Sequence, residues 1–161
     1  MSPTQRTLVR LRSLGYLAQV VERWQPYCKP KPGGHPGVRI DLFGCIDLVA
    51  VGHGELLGVQ ACSGSSHSSR REKALTQPGL RGWLDGGGQF EVWSWKKRGK
   101  SGKRKLWYVR VEPIVILDGR LLPAESRVFS PRDGREVDVS LPAAHADDHP
   151  PDVEEAGAPL P

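Results

Sequence analysis

Two polar residues sit where a hydrophobic core is expected. Asp47 interrupts the run Gly44-Cys45-Ile46-Asp47-Leu48-Val49-Ala50-Val51, and Gln60 lies near the end of Glu55-Leu56-Leu57-Gly58-Val59-Gln60-Ala61-Cys62. Burying such groups without partners costs roughly 1–3 kcal/mol each, more for a charge, so they need partners or a task. The two runs flank the turn Gly52-His53-Gly54, and residues 38–62 therefore predict a β-hairpin with residues 38–51 as one arm. Such a hairpin sets Asp47 beside the carbonyl oxygen of Gln60 on the neighbouring strand. Hard oxygen donors of this kind suit a divalent cation such as magnesium, which keeps several waters and takes one or two carboxylates from the protein.

A third oxygen can come from Glu22. Leu8, Leu11, Leu14, Leu17, Ala18, Val21 and Trp24 recur at spacings of three and four, predicting an amphipathic helix over residues 4–24 with Glu22 on the border of its apolar face. Asp41 is expected to stand behind the ligands and not among them. After a basic, proline-rich loop over 28–37 and the hairpin comes a serine-rich connector. A second helix follows, over 70–76 and 79–85, bent at Pro78. Its approach, His67-Ser68-Ser69-Arg70-Arg71-Glu72-Lys73, suits a phosphate oxygen: amides and hydroxyls gather at a helix start, and Arg71 can grip bidentately. His67 reads equally as a phosphate contact or as a surface imidazole.

Strands are predicted over 89–95 and 106–111, with Trp93 and Trp95 on one face as packing residues, and a further short strand over 114–117. The tip between the first two carries Lys96, Lys97, Arg98, Lys100, Lys103, Arg104 and Lys105, seven cations in ten residues. Like charges so crowded repel one another and gain from phosphate contact.

The formal net charge of +5 conceals an asymmetry: residues 131–161 hold two basic and eight acidic residues, leaving +11 on residues 1–130. The first segment is expected to be one α/β domain with a polyanionic partner. The second is acidic, rich in proline and alanine, and expected to be disordered. It could fold over the cationic face and compete with nucleic acid. Cys28, Cys45 and Cys62 form no C-x-x-C pair, so neither a disulfide framework nor a zinc ribbon is supported. No apolar run has membrane-spanning length and the first residues lack a secretory core, so a cytoplasmic protein without a membrane partner is expected.

Together these elements resemble the PD-(D/E)xK nuclease superfamily, nearest its Holliday-junction-resolvase-like and VRR-NUC-like members. Gly44-Cys45-Ile46-Asp47 matches the G-x-x-D element, Gln60-Ala61-Cys62 stands at the E-x-K position, and Glu22 stands for the glutamate of the first helix. The resemblance covers residues 8–111 and implies a restriction-endonuclease-like three-layer core, a small mixed sheet flanked by helices. It implies metal-dependent hydrolysis of DNA phosphodiester bonds, with Mg2+ or Mn2+ held by Glu22, Asp47 and Gln60, on branched or recombination intermediates. It also carries the expectation of a homodimer, since junction resolvases cut two strands symmetrically. Cys62 departs from the pattern, because a thiol supplies no fixed positive charge. Lys73 is the first candidate for a migrated lysine and Arg39 the second. The alternative is a nuclease-like protein that binds nucleic acid without cleaving it; a third reading is an interaction domain for an acidic protein.

Overall fold

The structure, a computed structural model, describes residues 1–26, 37–99, 104–131 and 134–137. Helix α1 (Pro3–Ser13) starts at Ser2, whose hydroxyl accepts from the Gln5 amide, and Pro3 fills the first turn, where a missing amide costs nothing. It stops as the Leu14 N–H closes onto Arg10 and Gly15 turns into the left-handed region at φ +89°. The expected helix over 4–24 is corrected accordingly. Leu14 and Leu17 are exposed by 41% and 80%, so the leucine spacing beyond Gly15 marks no apolar face.

The chain continues as β1 (Leu17–Val20) and, past a bend at Val21 and Glu22, β2 (Arg23–Gln25), which pairs with β3 (Val38–Ile40) in a separate two-stranded ribbon. The expected long arm over 38–51 is thus two pieces. Between β3 and β4 (Leu48–Gly52) lies a tight loop closed by the Leu42–Ile46 bridge. The hairpin of β4 with β5 (Glu55–Ser63) forms as expected, with His53 and Gly54 both at positive φ, as a type I′ turn requires.

A single 3-10 turn, Gly64–Ser66, leads into α2 (His67–Leu75) and α3 (Pro78–Asp85). The chain then returns as β6 (Gln89–Arg98), parallel to β5, followed by β7 (Leu106–Leu117), β8 (Arg120–Pro123) and β9 (Arg127–Phe129). The sheet runs β1-β4-β5-β6-β7-β8, and β9 pairs with another stretch of β7. A parallel pair needs a crossover, and α2 with α3 supplies it. The result, among the described residues, is an α/β architecture with a mixed sheet and three α-helices.

Strand alternation sorts the core into two layers. Leu11 of α1 packs with Ala50, Val59, Trp93, Trp95 and Val111 on one face of the sheet. Trp95 Nε1 donates to the buried Thr7 hydroxyl of α1 at 2.9 Å, so the tryptophans pack as expected. On the other face Ala74 and Leu80 meet Ile46, Cys62, Phe90, Val92 and Ile114. The ordered unit also extends beyond the expected boundary at 130: the Val137 N–H donates to Val128 and Glu136 bridges to Phe129, laying residues 134–137 beside β9. Residues 138–161, the basic loop with Cys28, and Lys100 and Lys103 lie outside the described residues. No helix among the described residues is long and apolar enough to cross a membrane.

Candidate functional site

Asp47 enters the sheet one residue before β4, and its N–H donates to Val59 of β5 at 2.9 Å. That pairing brings its side chain beside Gln60, as the hairpin predicts. Both are buried, Asp47 to 5% exposure and Gln60 to 1%. Asp47 Oδ2 accepts from Gln60 Nε2 at 2.5 Å and from the Ala61 N–H at 2.9 Å. The other end of the amide, Gln60 Oε1, is buried and has no hydrogen-bond partner among the described residues. A buried acceptor left unpaired is costly, and it marks where a donor or a cation would be stabilised.

The loop before β4 holds Asp47 in place. Phe43 and Gly44 both have positive φ, and a Cβ on Gly44 would lie 2.4 Å from Gln77 Oε1. Glycine is favoured at this position, where the chain is left-handed and any Cβ would require the Gln77 side chain to move. The same loop carries Asp41, whose carboxylate takes Lys73 Nζ at 2.7 Å. Glu22 arrives from the bend between β1 and β2, where the amides of Val21 and Glu22 both donate to the Asp47 carbonyl. Its position on a helix face is therefore corrected to a strand bend, although it reaches the expected neighbourhood. Its carboxylate pairs with Arg39 at 2.9 Å.

Burial pushes the Asp47 carboxyl up to about 7; the Ala61 amide opposes this, the negative charges of Asp41 and Glu22 add to it, and Arg70 opposes it. Asp41 and Glu22 thus both act on Asp47 at one end of the sheet, with Lys73 paired to Asp41, Arg39 to Glu22, and Arg70 acting on Asp47. Among the described residues no three His, Cys, Asp or Glu side chains close on a point as metal ligands would. The donor chemistry nevertheless fits a hard cation: a buried carboxylate, an unpartnered amide oxygen beside it, and two further carboxylates within electrostatic reach. Cys62 is buried, and desolvation raises its thiol to about 11, so it is neutral near pH 7 and replaces no lysine. Cys45 is likewise buried and raised to about 12. Arg70 acts on both Cys62 and Asp47, a proximity that the sequence gives no sign of.

His67 is corrected. It is neither a surface imidazole nor a phosphate contact, since it is 4% exposed and both ring nitrogens are engaged. Nε2 lies 2.9 Å from Glu112 Oε2 and Nδ1 lies 2.9 Å from Ser94 Oγ. Burial lowers its pKa, so the neutral ring donates from Nε2 to the carboxylate and accepts the Ser94 hydroxyl at Nδ1. Glu112 also takes Arg110 at 2.9 Å and Arg71 at 3.8 Å, so Arg71 is tied to the sheet. The arrangement pins the start of α2 onto β6 and β7, and its members are too far apart in sequence to be found by spacing.

Alternation along β6 divides the basic tip. Lys96 and Arg98 line a cleft of about 360 Å3 with Tyr108 and Arg110, on the side of α2. Lys97, Arg104 and Lys105 line another, of about 480 Å3, on the side of α1. No family model matches the chain, and no curated protein and no solved structure matches it either.

Proposed function

We propose that this α/β protein is a metal-dependent nuclease with a restriction-endonuclease-like core, hydrolysing DNA phosphodiester bonds with magnesium or manganese. The observation that carries the reading is the buried Asp47–Gln60 pair across β4 and β5, with the unpartnered Gln60 Oε1 beside it and Glu22 and Asp41 within charge reach. The order of elements adds support. An initial helix is followed by G-x-x-D leading into one strand, Q-x-C lies within the next, and a helix follows.

Asp47, Gln60 Oε1 and Glu22 would hold the ion, with Glu22 exchanging its contact with the exposed Arg39. A bound divalent ion supplies Lewis-acid charge to the phosphate oxygens and lowers the pKa of water. The chain itself contributes the rest. Arg39, largely exposed, can take a phosphate oxygen once Glu22 is engaged elsewhere. Lys73 and Arg70 on α2 carry the positive charge that Cys62 lacks, and stabilise charge as it develops on the phosphate. Asp41 holds Lys73 by its ammonium and thereby sets its direction.

A second reading, binding without cleavage, is favoured by the neutral Cys62 thiol together with the commitment of Lys73 to Asp41. Cleavage of linear, single-stranded and branched DNA with magnesium, manganese or chelator separates the two. Metal-dependent cutting by the wild type that disappears in Asp47→Ala is the expected result. Salt-sensitive binding with no cutting of any substrate would establish the second reading instead.

A further inference from the structure

We propose that the cleft between α1 and the β6–β7 end of the sheet binds single-stranded nucleic acid, on the face opposite the carboxylate cluster. The open cleft measures about 480 Å3, and its lining includes Arg6, Arg10, Lys97, Arg104 and Lys105 and, among the described residues, no carboxylate. None of these five side chains forms an ion pair or a side-chain hydrogen bond among the described residues. Five cations gathered with no ion pair among the described residues repel one another, and a phosphate chain relieves that repulsion.

The aromatic component is Trp107, half-buried in the same cleft. The Arg6 guanidinium lies 3.9 Å from the centre of its ring and the Lys97 ammonium 5.2 Å away. A guanidinium stacked on an indole keeps its N–H edges free for a bidentate phosphate contact. Trp107 and Arg6 together offer a flat platform for a base, with the backbone held by the surrounding cations. The aromatic component selects the ligand: bases in a duplex are stacked on one another and offer no free face to it, whereas an unpaired base does. A cavity of this size lies within the range of small-ligand pockets, roughly 300–1,000 Å3. The sequence shows the basic tip, but not that α1 supplies the opposite wall.

The proposal is independent of cleavage, so it is tested with the full chain in chelator. Anisotropy of a fluorescein-labelled oligothymidine and the tryptophan emission are followed over a salt series, with a DNA duplex alongside. Arg6→Ala/Arg10→Ala should weaken oligothymidine binding at least about fivefold and flatten the slope of log K against log salt by about 1.4, two phosphate contacts of a single strand. Trp107→Leu should weaken it about tenfold and remove most of the emission change, leaving duplex binding unaltered. Arg120→Ala, an exposed change on β8, should do neither. If Trp107→Leu does not fold, Lys97→Ala/Lys105→Ala should reproduce the loss of slope. Unchanged affinity and slope in both double variants, or equal losses for duplex and single strand, would overturn the proposal.

Discussion

Ionising Asp47 inside the fold works against stability. Its carboxyl titrates at about 7 when folded against 3.8 as a free side chain, so between these values the folded state holds a proton that the unfolded state has released. Stability therefore falls as pH rises from about 4 to 7 and is level above, with an upper bound of roughly 4 kcal/mol on the total. Asp47→Asn abolishes this loss. Its carbonyl can accept from the Ala61 N–H while its amide donates to the oxygen of a rotated Gln60. Thermal melts of the two proteins should show a difference that grows from pH 4 to 7, reaching about 1–3 kcal/mol in favour of Asn, while metal binding is lost. A difference that shrank with rising pH would contradict the buried, proton-holding carboxylate. Asp47 and Gln60 were open to sequence reasoning because a polar residue inside an apolar strand is conspicuous. His67 was not, because its partners Ser94 and Glu112 lie on strands that only the folded sheet brings to it.

At the scale of elements, the loop from Asp41 to Asp47 depends on one glycine. Gly44→Ala meets two separate penalties, the positive φ and the approach of Gln77. It should lower stability by about 1–3 kcal/mol in urea titrations and, under the proposed function, weaken metal-dependent activity by moving Asp47. Gly44→Ala/Gln77→Ala should recover the steric part alone. Full recovery would show that the backbone conformation carries no cost. The β4–β5 hairpin and the paired tryptophans of β6 could be read from the sequence, because alternation and turn residues act locally. The end of α1 could not, because Leu14 and Leu17 continue a helical spacing that Gly15 has already broken. Glu22 consequently lies on a strand bend and not on the helix its spacing suggests, and the amides of Val21 and Glu22 bring it to Asp47 through two backbone hydrogen bonds.

For the whole molecule, the boundary of the folded unit decides what a truncation means. Residues 134–137 pair beside β9, whereas residues 138–161 contain six acidic and no Lys or Arg residues. Removing 138–161 should leave the melting temperature within about 2 °C and tighten nucleic-acid binding at low salt, by relief of competing charge. Removing 131–161 should also lower the melting temperature, because Val128 and Ser130 lose their backbone partners. Equal melting temperatures for both truncations would show that residues 134–137 contribute nothing to the sheet. Composition alone placed the division near 130, since it registers charge but not a backbone pairing.

The parallel contact of β5 with β6 joins two antiparallel halves, one from β1 to β5 and one from β6 to β9. Within them the β4–β5 and β7–β8 hairpins close by short turns, whereas β1 reaches β4 only across residues 21–47. The union of the two halves must bring Leu57 to Gln89 around α2 and α3, a loop closure compensated only once the strands meet. The seam between β5 and β6 is thus, with the pairing of β1 to β4, one of two long-range closures on which folding speed is expected to depend. Val59→Ala, buried there, should slow refolding, whereas Val128→Ala on β9 should mainly hasten unfolding, a contrast that stopped-flow chevrons would reveal.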